Sequence, residues 1–141
     1  MSRLLITGGA GFVGSNLAVS LASRHPDWEV VALDNLYRRG SELNLPRLEA
    51  AGVEFVKGDV REPDDLARLP EISALIECSA EPSVMSGVDG DTGYLVHTNL
   101  TGAYNCLELA RRDGAFVVFL STSRVYPVAP QVGLQIGRAH V

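Results

Sequence analysis

The sequence TGGAGFVG at residues 7–14 constrains the fold of this chain more than any other feature. It follows the apolar run Leu4-Leu5-Ile6 and precedes apolar residues at helical spacing, which predicts a strand, a turn and a helix. The first N–H groups of such a helix converge on one point and favour a phosphate there. Gly8 would permit the tight turn, Gly11 would let the backbone approach a pyrophosphate, and Gly14 would allow close helix–strand packing.

An acidic residue stands at the expected distance from these glycines. The second apolar run, Val30-Val31-Ala32-Leu33, ends at Asp34, 20 residues beyond Gly14. This is where a carboxylate binds the ribose hydroxyls of NAD in dinucleotide-binding folds. A glycine turn alone is also compatible with a purely structural role. With strand, turn, helix, strand and acid in register, the sequence predicts an NAD site.

Composition excludes several other classes of protein. The chain has 141 residues, enough for one domain, and a net charge of −5 with scattered basic residues, which argues against nucleic acid as a partner. Cys78 and Cys106 lie far apart without a CxxC pair, so we expect two buried thiols, no disulfide framework and no metal. No apolar run approaches the roughly 20 residues of a membrane span, so we expect a soluble cytoplasmic protein with no membrane partner.

Strands and helices alternate along the chain, which predicts an α/β fold with a parallel sheet covered on both faces. The predicted strands are Arg3–Ile6, Glu29–Leu33, Val53–Val56, Ala74–Cys78 and Phe116–Leu120. The predicted helices are Phe12–Ser23, Leu43–Ala51, one opening at Pro63 with Glu62 as its cap, and Tyr94–Arg112. The last strand is wholly apolar, which is typical of an interior strand. In the last helix, Leu100, Ala103, Tyr104, Leu107 and Ala110 are expected to form one apolar face.

The chain resembles the extended short-chain dehydrogenases that act on sugar nucleotides, the NAD-dependent epimerase and dehydratase family. The resemblance rests on residues 7–14, on LDNL at 33–36, on GDV at 58–60, on Asn99 and on STSRVY at 121–126. Within the family it is most similar to the CDP-paratose and CDP-tyvelose 2-epimerases. The resemblance implies a Rossmann-type doubly wound parallel sheet with strand order 3-2-1-4-5, truncated here before the last strands and the substrate domain.

The resemblance also implies which residues bind NAD. Residues matching Asp34 and Asn35 contact the adenosine end, those matching Asp59 and Val60 contact the adenine, and the segment after the fourth strand lines the dinucleotide. We therefore expect the cofactor-binding residues to be Gly8, Gly11, Phe12, Val13, Gly14, Asp34, Asn35, Asp59, Val60, Cys78, Ser79, Ala80 and Asn99.

One catalytic residue is implied in this chain. Thr122 stands where the family places a Ser or Thr that hydrogen-bonds the sugar hydroxyl being oxidised, although a strand-capping role stays open for it. The family's base is a Tyr activated by a Lys four residues later. No such pair occurs here, because the only lysine is Lys57 and none of the four tyrosines precedes it by four residues. The 141-residue chain is therefore expected to be inactive by itself.

Two departures from the family pattern, and one match to it, affect the expected reaction. Glu77 stands where the family often carries His. Ser123-Arg124 occupies the positions of the Asp-Glu pair that eliminates water in the dehydratase branch, so a dehydratase is disfavoured. Glu81 matches a substrate-contacting acid of the family, with a solvated carboxylate as the alternative.

The final residues, IGRAHV at 136–141, resemble one reading frame of a sequencing-library adapter. We expect an incomplete NAD-binding domain at 1–135 and a non-native tail at 136–141, with a short natural protein as the alternative. The complete protein is expected to be a sugar-nucleotide epimerase and a homodimer. The alternatives are a dehydratase or reductase of the same family, or a non-catalytic NAD-binding module.

Overall fold

The computed structural model describes residues 2–83, 85–88 and 90–121. Its strands are β1 (Ser2–Thr7), β2 (Trp28–Asp34), β3 (Glu54–Lys57), β4 (Ala74–Glu77) and β5 (Phe116–Phe119). All pairings between neighbours are parallel, and the order is β3-β2-β1-β4-β5. This confirms the predicted fold class and strand order. Because the order reverses between β1 and β4, a crevice forms at the carboxyl ends of these two strands.

Five α-helices connect the strands: α1 (Phe12–Arg24), α2 (Leu45–Ala50), α3 (Pro63–Ala67), α4 (Thr92–Val96) and α5 (Gly102–Asp113). A 3₁₀ turn, Ser41–Asn44, precedes α2, and a π turn, His97–Thr101, joins α4 to α5. Glu62 is at the N-cap of α3 as expected, but its exposed side chain makes no capping hydrogen bond, so that part of the prediction is wrong. No helix of the described part is long and apolar enough to cross a membrane.

Two apolar clusters cover the two faces of the sheet. Alternate β1 side chains point to opposite faces, so Leu5 joins one cluster while Leu4 and Ile6 join the other. The first cluster contains Leu109 of α5, and the second contains Leu48 of α2. The sheet is therefore buried on both faces, which fixes its carboxyl edge as a rigid platform for ligands.

The predicted apolar face of the last helix is wrong at most of its positions, although Ala110 is buried as expected. Leu100, Tyr104 and Leu107 are 67%, 60% and 48% exposed, whereas Asn105 and Leu109 are buried. Four of the five predicted positions follow the π turn, so the error lies within the regular helix: its buried face includes small residues and the polar Asn105, which apolar spacing does not identify. The other buried positions of α5 are Gly102, Cys106 and Ala110.

The expected burial of β5 is also not observed. Phe116 and Phe119 are 71% and 49% exposed, and within the described residues only β4 pairs with this strand. An apolar composition indicates a preference for the interior, but burial requires a second neighbour, and none lies in the described range.

Candidate functional site

A cleft of about 700 Å³ lies at the carboxyl ends of β1, β2 and β4. Twelve of the thirteen expected cofactor-binding residues line it, the exception being Asn99. The lining residues are Gly8, Gly11, Phe12, Val13, Gly14, Leu33, Asp34, Asn35, Tyr37, Arg38, Arg39, Ser41, Gly58, Asp59, Val60, Cys78, Ser79, Ala80, Glu81, Pro82, Tyr94 and Thr98. Tertiary folding thus brings together residues that are scattered over most of the sequence.

The floor of the cleft is the glycine turn. Gly8 has φ +60°, and a Cβ there would lie 2.7 Å from the carbonyl oxygen of Cys78. A Cβ on Gly14 would overlap the carbonyl oxygen of Gly8. Gly14 therefore permits α1 to approach closely the turn that directly follows β1. Neither position tolerates a side chain, so the backbone is exposed to any ligand in the cleft.

The N-terminus of α1 faces this turn without a cap. Gly11 is the N-cap, no side chain bonds the helix end, and the first turn carries no acid. The N–H groups of Phe12, Val13 and Gly14 have no acceptor among the described residues. Three unpaired donors at the positive end of a 13-residue helix favour an anion such as a pyrophosphate.

Asp34 connects this turn with the loop after β2. Its Oδ2 accepts from the N–H of Ala10 at 3.1 Å, and its Oδ1 accepts from the N–H of Leu36 at 2.8 Å. Leu36 has a positive φ of 58°, an unusual conformation for a leucine. Each carboxylate oxygen retains a lone pair, so the half-buried Asp34 can still accept hydrogen bonds from ribose hydroxyls.

Asp59, after β3, is the most strongly perturbed acid of the cleft wall. Burial alone would raise its pKa, but hydrogen bonds from Arg61 and Asn35 lower the pKa from 3.8 to about 2. Nη2 of Arg61 donates to Oδ2 of Asp59 at 2.6 Å, and Nδ2 of Asn35 donates to the same oxygen at 2.9 Å. The carboxylate is therefore ionised at neutral pH and fixes the two loops after β2 and β3 relative to each other.

The backbone at Val60 is held from behind by α5. Nδ2 of the buried Asn105 donates to the carbonyl oxygen of Val60 at 2.9 Å. A Cβ on Gly102 would lie 2.7 Å from Cγ2 of Val60, so α5 packs closely against this loop. The sequence analysis missed both residues. The signal that could have identified this support was Asn105 at helical spacing from Gly102 and Leu109.

The segment after β4 forms the opposite wall, where Cys78, Ser79 and Ala80 lie as expected. Beneath them the buried Glu77 accepts at Oε1 from the hydroxyl of Ser79 at 2.7 Å, and burial raises the pKa of Glu77. Burial also raises the pKa of the half-buried Cys78 to about 11. Asn99 lies outside the lining and accepts from the N–H of Glu81 at 2.8 Å, so in this structure it supports the wall.

Three further side chains at the cleft were not anticipated. The rings of Tyr37 and Tyr94 have centroids 5.2 Å apart, and the guanidinium of Arg61 lies 5.1 Å from the Tyr94 centroid. Tyr37 was expected in a loop and Tyr94 at the start of a long helix, and nothing in their spacing links them, so only the tertiary structure reveals this contact. Among the described residues, no group of three His, Cys, Asp or Glu side chains could hold a metal ion.

Thr122, the expected catalytic residue, lies outside the described residues, as do Ser123, Arg124 and the 136–141 tail. The roles assigned to them from the sequence stay predictions.

The family model described as the NAD dependent epimerase/dehydratase family matches residues 4–138. The chain belongs to this family. NAD is thus confirmed as the cofactor at the level of the family. The match includes the first three residues of the segment 136–141, so the proposed boundary at residue 135 stays a prediction.

Curated relatives in the family differ in their reactions. The chain is 38% identical over 125 residues to a dTDP-glucose 4,6-dehydratase of Mycobacterium tuberculosis strain CDC 1551, with 88% of this chain and 37% of the relative covered. It is 35% identical over 130 residues to a CDP-paratose 2-epimerase of Salmonella typhi, with 88% and 38% covered. The chain therefore spans less than two fifths of the length of these relatives.

A solved structure supports the same assignment. A double mutant of the dTDP-glucose 4,6-dehydratase from Streptomyces venezuelae, solved with NAD, is similar with a TM-score of 0.76 and 38% identity over 88% of this chain and 40% of that one. The uncapped N-terminus of α1, the glycine floor and the acid at the end of β2 in the present chain all fit a dinucleotide.

Proposed function

We propose that this chain is the NAD-binding part of a sugar-nucleotide epimerase. One observation supports NAD binding above all: the uncapped N-terminus of α1 and the Asp34 carboxylate lie in the same cleft, linked by the hydrogen bond from the N–H of Ala10. The helix end suits an anion, and the carboxylate can accept hydrogen bonds from a ribose. The observation that favours an epimerase over a dehydratase is Ser123-Arg124, because neither residue can replace the two carboxylates that water elimination uses.

Each residue has a distinct role in the proposed binding mode. The N–H groups of Phe12, Val13 and Gly14 donate to the pyrophosphate, and Asp34 accepts from the ribose hydroxyls. The loops that carry Asn35, Val60 and Asp59 surround the adenosine end. Cys78, Ser79 and Ala80 line the path of the dinucleotide toward the substrate.

Thr122 is proposed to hydrogen-bond the sugar hydroxyl that is oxidised. The chemistry that NAD supplies when bound is reversible hydride transfer, so a sugar carbinol can be oxidised transiently and reduced again from its other face. The complete protein is proposed to act in the cytoplasm on a nucleotide sugar, as a homodimer.

Product mass separates the candidate reactions. The full-length protein is incubated with CDP-, UDP- and dTDP-linked sugars, and the products are analysed by mass spectrometry and NMR. An epimer has the mass of its substrate, whereas a dehydratase product is lighter by one water. A water-loss product would overturn the epimerase proposal and favour the second candidate, a dehydratase, which the 38% identity to such an enzyme supports.

Thr122→Val in the full-length protein tests the proposed catalytic role. We expect turnover to fall by a factor on the order of 10² while the dissociation constant for NAD is unchanged, because only a substrate hydrogen bond is removed. Unchanged turnover would return Thr122 to a strand-capping role. A downstream Tyr-x-x-x-Lys in the full-length sequence would support the enzyme, and its absence would favour a non-catalytic NAD-binding module.

Cofactor choice provides a separate test. Asp34 is expected to favour NAD over NADP, because its carboxylate would repel a 2′-phosphate. Arg38 and Arg39 also line the cleft and could reverse this preference by pairing with that phosphate. Titration of the full-length protein with NAD and with NADP measures this preference. Tighter binding of NADP would overturn the assignment of NAD as the preferred cofactor.

A further inference from the structure

Tyr37, Tyr94 and Arg61 come from three separate segments and meet at one end of the cleft. Tyr37 follows β2, Arg61 precedes α3 and Tyr94 lies in α4. The two rings are tilted by 35° with centroids 5.2 Å apart, and the guanidinium of Arg61 lies 5.1 Å from the Tyr94 centroid. Strand pairing does not require this contact. It links the segment after β2 to helix α4 at the mouth of the cleft.

A chain of hydrogen bonds fixes both partners of this contact. Oδ1 of Asn35 accepts from the N–H of Tyr37 at 2.9 Å, and Nδ2 of Asn35 donates to Asp59 at 2.9 Å. Asp59 in turn accepts from Nε and Nη2 of Arg61. The circuit Tyr37–Asn35–Asp59–Arg61–Tyr94 is therefore closed, with polar groups on one side and two aromatic rings on the other.

The chemistry of the two rings suits a planar base. Tyr37 is 67% exposed, and both tyrosines line the cleft. A π surface reinforced by a cation attracts aromatic bases by stacking, with little dependence on the identity of the base. The proposed pyrophosphate site at α1 is separate from this cluster, and the loop that follows Asp34 connects the two.

We propose that Tyr37 and Tyr94 form an aromatic clasp that covers the adenine of the bound dinucleotide and slows its release, with Arg61 as the residue that positions Tyr94. This inference rests on the proposed function, because that assignment places the adenosine end beside Asp59. The clasp explains why the two tyrosines meet across the cleft, and it adds two residues to the set implied by family resemblance.

The test measures how fast NAD leaves the full-length protein in stopped-flow displacement experiments. Tyr37→Leu and Tyr94→Leu are each expected to raise the dissociation rate about 10-fold, the range in which stacking contributes. Tyr94→Phe keeps the ring and is expected to stay near the parent rate. Tyr104→Leu is the matched control, because Tyr104 is 60% exposed on α5 and does not line the cleft.

Fragments of the cofactor show which end is held. Binding of adenosine monophosphate is expected to weaken about 10-fold in Tyr37→Leu, whereas binding of nicotinamide mononucleotide is unchanged. Arg61→Lys is expected to speed NAD release in the parent but to have little further effect in Tyr94→Leu, because Arg61 acts through that ring.

The outcomes separate the clasp from the proposed function. A parent protein that does not bind NAD would overturn both. A parent that binds NAD, with dissociation rates and adenosine monophosphate affinity unchanged in Tyr37→Leu, would overturn the clasp alone. Thermal unfolding without cofactor is measured in parallel, and the exposed Tyr37→Leu supplies the result if Tyr94→Leu does not fold.

Discussion

Gly8 and Gly114 have almost the same backbone conformation but opposite surroundings. Their φ values are +60° and +63°. A Cβ on Gly8 would lie 2.7 Å from the Cys78 carbonyl oxygen, whereas a Cβ on Gly114 would have no atom within 4 Å. The first glycine is required by packing and conformation together, and the second by conformation alone. The same backbone conformation is therefore part of the cleft at Gly8, where other segments pack against it, and is only a helix end at Gly114.

Strands β2 and β5 differ in the same way. Both have apolar centres, but Val30–Leu33 of β2 is buried between β1 and β3, whereas Phe116 of β5 is 71% exposed. The contrast shows that an apolar composition indicates whether a strand is suited to the interior of a sheet. Its actual exposure depends on which strands and helices pack beside it. An apolar edge of this kind recruits other chains, so the 141-residue chain produced alone is expected to aggregate and to bind NAD weakly.

The largest predicted effect concerns the two glycines, Gly8 and Gly114. Gly8→Ala is expected to destabilise the full-length protein by more than about 4 kcal/mol and to abolish NAD binding, because the new Cβ meets a carbonyl oxygen. Gly114→Ala is the matched control, with an expected loss of about 1 kcal/mol from the positive φ alone. Calorimetry and NAD titration measure both. Equal losses would show that conformation, rather than packing, makes Gly8 necessary.

The second prediction compares the strands. Leu33→Ala, at a position that is 1% exposed, is expected to destabilise the full-length protein by about 3 kcal/mol through lost burial and a residual cavity. Phe116→Ala is expected to have a similar effect there, because an apolar strand of this kind is suited to an interior position. A loss below about 1 kcal/mol for Phe116→Ala would show that β5 is a true edge strand.

The third prediction concerns two ion pairs of nearly equal length. Arg61–Asp59 is 2.6 Å long in the cleft wall and Arg111–Glu108 is 2.7 Å long on α5. Asp59→Asn is expected to destabilise the protein by about 1 kcal/mol after allowance for solvent screening. Glu108→Gln, at an exposed site, is expected to cause no measurable change.

The same pair predicts a pH dependence. The pKa of Asp59 is lowered to about 2 by its hydrogen bonds, against an ordinary value of 3.8. The stabilisation by ionised Asp59 is therefore complete above about pH 4 and is lost as the pH falls toward 2. Unfolding midpoints of parent and Asp59→Asn should converge in that window. A difference that is undiminished at pH 2 would contradict the assignment of the shift to ionisation.

The smallest predicted effect concerns the thiols. Burial raises the pKa of Cys78 to about 11 and that of Cys106 to about 12, so both are protonated at pH 8. Alkylation by iodoacetamide at pH 8 should be slow at both, and slower at the fully buried Cys106. Because Cys78 lines the cleft, NAD should protect it while leaving Cys106 unaffected. Faster reaction at Cys106 would indicate local opening of α5.

Sequence reasoning identified the elements with strong local signals. The glycine turn, Asp34 and the alternation of strands and helices predicted a parallel α/β sheet. The family resemblance implied its strand order and the expected site residues, twelve of which line the cleft. Sequence reasoning failed where contacts between distant segments decide. Packing of Gly102 and Asn105 on Val60 fixes the buried face of α5, and Asn99 pairs with the Glu81 backbone instead of lining the cleft.

Residue types and their spacing were enough to predict the strand–turn–helix unit, the acid that ends β2 and the membership of a family of NAD-dependent enzymes. These depend on residue type and spacing, which the chain carries locally. Three contacts became visible only in the folded chain: Gly8 packs on Cys78, Asn105 supports Val60, and Tyr37 meets Tyr94 beside Arg61. Each of these contacts joins segments far apart in the chain, and their geometry exists only after the sheet has set the distances between its strand ends.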